Sequence, residues 1–71
     1  MNVPIGTYLV DTRTGRVGRF MGEAGPWLSL RPVGGGREWE CSPDHVRPAT
    51  AAERISATTA YVNARSRGEV T

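Results

Sequence analysis

Glycine and proline interrupt this chain too often to leave room for long helices in most of it. Nine glycines and five prolines stand mostly in the first 48 residues, and each favours a turn, a bend or a break. What lies between them is a series of short apolar and polar alternations, the pattern of half-buried strands. Thr7-Tyr8-Leu9-Val10 reads as a first strand that stops at Asp11, and Asp11-Thr12-Arg13-Thr14-Gly15 as a turn. Residues 16–21 form a second strand with Val17 and Arg19 on one face and Gly18 and Phe20 on the other. Gly18 inside that strand marks a bulge or a close backbone approach.

A turn over residues 22–26 leads to a third strand, residues 27–31, whose alternation places Leu28 and Leu30 inward and Ser29 and Arg31 outward. A loop over residues 32–36 follows, then a fourth strand over residues 37–41 with Trp39 and Cys41 on one face and Glu38 and Glu40 on the other. Ser42-Pro43-Asp44-His45 favours one tight helical turn, capped by Asp44, before Val46 returns to the sheet. Beyond Pro48 the character changes. Thr50 and Glu53 have capping-box spacing, and alanine-rich sequence runs on to Gly68. Ile55, Thr59 and Val62 share one helical stripe, and Arg54, Thr58, Tyr61 and Arg65 the next.

These readings predict a mainly β fold: a small five-stranded antiparallel barrel over residues 1–49, a C-terminal helix over 50–67 and a disordered tail over 68–71. A barrel must gather inward apolar residues from every strand, so Leu9, Val17, Phe20, Leu28, Leu30 and Val46 are the expected core. At 71 residues the chain is one domain; a domain this small buries only about 60% of its unfolded surface, which leaves little room for a deep active site.

Cys41 is the sole cysteine, so neither an internal disulfide nor a cysteine metal knuckle is available. No cofactor or metal is expected. Gly34-Gly35-Gly36 lacks the Lys-Ser/Thr and the helix of a phosphate cradle and reads as a mobile loop, and His45, without a second histidine, reads as a turn residue. No apolar run approaches the ~20 residues of a membrane span, and the start lacks a secretory signal. The expected compartment is the cytoplasm, without a membrane partner.

All nine basic residues are arginine, against seven carboxylates, for a net charge of +2. A GC-rich genome produces such a bias by codon drift; selection for guanidinium groups that grip phosphates is the competing reading. The small net charge by itself does not define a nucleic-acid binder.

The succession of two hairpins, a tight helical turn and a short last strand, with Cys41-Ser42-Pro43-Asp44-His45-Val46 before closure, resembles Src-homology-3-like, Tudor and KOW small barrels. Residues 10–18 are similar to the opening of such barrels. The chain also resembles a group of small actinobacterial proteins built around GRVGRFM, LRPVGGGREWE and VRPAT, here residues 15–21, 30–40 and 46–50. The resemblance covers roughly residues 5–50 and implies a fold, not an activity.

Three function classes follow. The leading one is a non-catalytic binding or regulatory module that docks a protein partner through an aromatic barrel face or the C-terminal helix, with Trp27 and Trp39 as aromatic candidates, at least one of them reaching solvent. The alternative is a Tudor-like or KOW-like nucleic-acid binder using Arg13, Arg16 and Arg19 as a stripe, with Arg31, Arg37 and Arg47 near strand ends as phosphate clamps or as solvated partners of Glu38, Glu40 and Asp44. The third is an oligomeric enzyme. Residues 46–55 are loosely similar to the end of type II dihydrofolate reductase, but its ligand-binding Val-Gln-Ile-Tyr strand has no counterpart and the chain contains no glutamine, so no catalytic residue is assigned.

Overall fold

The computed structural model describes residues 3–66. It is mainly β, with strands β1 (Tyr8–Asp11), β2 (Arg16–Ala24), β3 (Trp27–Pro32), β4 (Trp39–Cys41) and β5 (Val46–Pro48), followed by helix α1 (Ala51–Ser66). All pairings are antiparallel. The order is β4-β3-β2-β1-β5, so β4 and β5 are the two edges and the ladder does not close between them. A single 3₁₀ turn, Pro43–His45, joins those edges. Residue 67 of the expected helix and the expected tail over 68–71 lie outside the described residues.

The turns show why the strands begin where they do. The Asp11 carbonyl accepts from the Gly15 and Thr14 amides at 2.7 and 3.2 Å, and its carboxylate accepts from the Arg13 amide at 3.0 Å. This is the local pairing that favours aspartate in turns. Gly15 takes a φ of 79°, a conformation open to glycine at little cost. Ser42 caps the 3₁₀ turn by accepting from the Asp44 amide at 3.2 Å, so the cap is the serine and not Asp44.

Four strands differ in their bounds from the sequence reading: β1 is shifted by one residue to Tyr8–Asp11 and β3 runs one residue further to Pro32, while β2 and β4 differ by more. β2 does not end at Met21; the register shifts between Phe20 and Gly22, and this irregularity lets the strand continue to Ala24 before a tight turn at Gly25 and Pro26. β4 is shorter than residues 37–41 and starts at Trp39.

The inner face of the sheet carries Leu9, Phe20, Leu28, Leu30 and Cys41, all buried, with Val3, Trp39 and Val46 packed against them. Val17 is not part of this core. It lies opposite Val10 on the other face of the sheet, where the alternation with Gly18 and Phe20 puts it. Val10 is buried all the same, and α1 lies against β2 on that side. The inner face of the β1–β2 hairpin is therefore covered by the core, and its outer face in part by the helix.

Leu30 is fully buried at the centre of this cluster. Leu30→Ala is expected to lower the unfolding free energy by about 2–4 kcal/mol in a denaturant titration; a loss under about 0.5 kcal/mol would place Leu30 outside the core.

Candidate functional site

Trp39 and Trp27 have separate fates. Trp39 projects from edge strand β4 across the inner face, and its Nε1 donates to the Asp11 carboxylate on β1 at 3.0 Å. Asp11 is only 6% exposed. The far edge of the indole lies on Gly18: a Cβ there would stand 2.6 Å from Trp39 Cη2 and 3.0 Å from the Arg31 carbonyl, so only glycine fits. Gly18 thus marks a close approach, while the bulge sits three residues on. The Arg16 guanidinium carbon stacks 3.9 Å from the indole centroid, a cation–π contact that covers the ring's outer face. Trp27, at the start of β3, is 45% exposed and borders a hollow of about 300 Å³ with Arg13 and Glu40. One aromatic surface shared by the two tryptophans does not form.

The arginines divide between faces as well. Arg16 pairs with inward-facing Asp11, while Arg19 pairs with Tyr8 on the opposite face, so Arg13, Arg16 and Arg19 do not make one stripe. A spacing of three along a strand reverses the face. What the register does bring together is Arg19 and Arg31, directly opposite each other on β2 and β3, with Tyr8 next in line on β1. Arg37 is exposed in the loop before β4. Arg47 does not pair with Glu38, Glu40 or Asp44. It forms a two-pronged pair with Glu53, at 2.7 and 2.6 Å, and Glu38 instead accepts from the Ser29 hydroxyl at 2.6 Å.

This outer side is where α1 creates a concave surface. The capping box forms as expected: Thr50 Oγ1 accepts from the Glu53 amide at 3.1 Å and Glu53 accepts from the Thr50 amide at 2.9 Å. With Arg47 on its other side, Glu53 ties the helix start to β5. Arg54 is held over the Tyr8 ring at 4.5 Å. Between the helix and Tyr8 of β1 runs a groove of about 390 Å³ lined by Tyr8, Ala51, Arg54, Ile55, Thr58 and Thr59. The apolar stripe of the helix is not buried: Ile55, in the groove, is 66% exposed and Val62 is 51% exposed.

Cys41 is inert here. Its Sγ lies 3.4 Å from the His45 carbonyl, and burial, followed by the Asp11 carboxylate, pushes the thiol above its ordinary value, which keeps it protonated and poorly nucleophilic. Among the described residues no three His, Cys, Asp or Glu side chains gather in a way that could hold a metal ion, and no helix is long and apolar enough to cross a membrane.

Tyr8, Arg54 and Ile55 were not singled out by the sequence reading as site residues. The signal for them was the adjacent pair Leu9 and Val10, apolar on both faces of one strand, which requires a cover on each side. Comparison of the chain with protein-family models, with curated proteins and with solved structures gave no significant match.

The Arg47 guanidinium and the Thr50 amide hold Glu53 at about 2, against an ordinary 4.5. A folded value below the unfolded one means that this anchor stabilises fully above the ordinary value and is lost as the pH falls from there to about 2. The helical circular-dichroism signal should therefore decline over that window, and Glu53→Gln should remove part of the pH dependence. An identical pH profile for Glu53→Gln would show that Glu53 does not anchor the helix.

Proposed function

We propose that this chain is a small non-catalytic, Src-homology-3-like binding module that docks a protein partner through the helix side of its sheet. The barrel reading rests on the strand order, on the single 3₁₀ turn between the two edge strands, and on Trp39 reaching from β4 to Asp11 on β1. Docking rests on one observation above all. α1 leaves Ile55 and Val62 exposed, Ile55 within a groove floored by Tyr8. A helix that covers a sheet ordinarily turns its apolar stripe inward, and exposed apolar side chains beside a concavity are what a helix-side partner would cover. Of the two routes open from the sequence, the helix is favoured, because Trp39 is committed to the inner face.

The nucleic-acid reading draws support from the Arg19 and Arg31 pair. Against it, the same outer face turns acidic one strand away: Glu40 lies opposite Ser29, and Glu38 is bonded to that serine. A phosphate backbone crossing the sheet would meet those carboxylates.

The test is affinity capture from the protein's own cell extract, with and without nuclease, comparing the native chain with Ile55→Asp. A protein captured equally after nuclease and lost with Ile55→Asp supports docking through the helix. Retention of nucleic acid alone, indifferent to Ile55, would replace this reading.

A further inference from the structure

We infer that the partner segment seated in the groove beside α1 is acidic: a short run of carboxylates around one bulky apolar side chain. This inference rests on the docking reading above and specifies its chemistry. Arg31, Arg19 and Tyr8 occupy adjoining register positions on β3, β2 and β1 and point to the helix side of the sheet. Side chains directly opposite one another in an antiparallel pair stand about 5 Å apart. Arg54 completes the row from the helix, over Tyr8. Three guanidinium groups and one phenol thus form a band that borders the apolar lining of the groove.

Three carboxylates among the described residues are engaged away from this band. Glu53 is held by Arg47, Glu38 accepts from Ser29, and Asp11 is on the inner face with Trp39. Like charges placed directly opposite in a sheet repel, so the Arg19 and Arg31 pair is a local cost in the free domain that an incoming anion would relieve. The Arg19 Nε is sealed from solvent with no acceptor. A buried donor left without an acceptor is a local cost, and no hydrogen bond among the described residues offsets it. Planar guanidinium groups match carboxylates two bonds at a time.

An acidic peptide fits this surface better than a nucleic acid on two grounds. The band is short, because β4 beyond it presents Glu40, with Glu38 beside it. Beside the band, the groove offers Ile55, Ala51 and the Thr58 and Thr59 side chains, a lining suited to one apolar side chain.

The experiment titrates the isotope-labelled full chain with three probes: a short polyglutamate peptide carrying one central leucine, the same peptide with glutamine for every glutamate, and a single-stranded DNA oligonucleotide of equal charge. The glutamate peptide should shift the amide signals of Tyr8, Arg19, Arg31 and Arg54. Its affinity should fall several-fold on raising salt, and Arg31→Gln and Arg19→Lys should each weaken it several-fold while leaving the folded spectrum intact. Equal binding of the glutamine peptide at those residues would overturn the acidic assignment and leave docking standing. DNA shifting those residues where neither peptide does would overturn both. Silence with all three probes would overturn the acidic assignment, with docking decided separately by the Ile55→Asp capture.

Discussion

The hydrogen bond from the Trp39 indole to the buried Asp11 carboxylate is the constraint on which the rest of this structure leans. It joins edge strand β4 to β1, strands with β3 and β2 between them in the ladder, and so spans the inner face of an open sheet. Each partner is committed elsewhere too. Asp11 also accepts from the Arg13 amide in the first turn, and Trp39 fits only because Gly18 has no side chain. A buried carboxylate without partners would be strongly unfavourable; here its acceptors are used, and the turn, the edge strand and the glycine depend on one another.

The inner face is taken up by this arrangement and by the aliphatic core, and the helix lies on the outer side. There α1 is fastened at its start by Thr50, Glu53 and Arg47, which sets the helix beside Tyr8 and exposes its apolar stripe. Exposed ion pairs contribute little to stability individually. The value of this one lies in position: a capping box alone would start the helix, whereas Arg47 also aims it from β5.

Strand existence and facing were legible in the sequence because period-two alternation is a local property. Leu28, Leu30 and Cys41 fall on the inner face as that alternation requires, and the helix start was legible from Thr50 and Glu53. Val17 was misplaced by asking every strand for an inward apolar residue, although its own alternation with Phe20 already put it outside. The β2 boundary was missed because residues 22–26 carry turn chemistry, and only the register shift after Phe20 shows that the strand runs on. The site was less legible still. Asp11 and Trp39 are 28 positions apart, and Arg19 meets Arg31 only once the β2–β3 register is known. Nothing local in the sequence specifies either pairing.

The direct test of this account is a double-mutant cycle on unfolding free energy with Trp39→Phe, Asp11→Ala and the double variant. Phenylalanine keeps much of the ring but removes the donor, and alanine removes the acceptor. Residues sharing one hydrogen bond couple, and the account predicts an interaction energy of about 1 kcal/mol or more, with the double variant less destabilised than the sum of the singles. Additivity within about 0.3 kcal/mol would contradict it, and would mean that β4 is held to the sheet by its own ladder and not through Asp11.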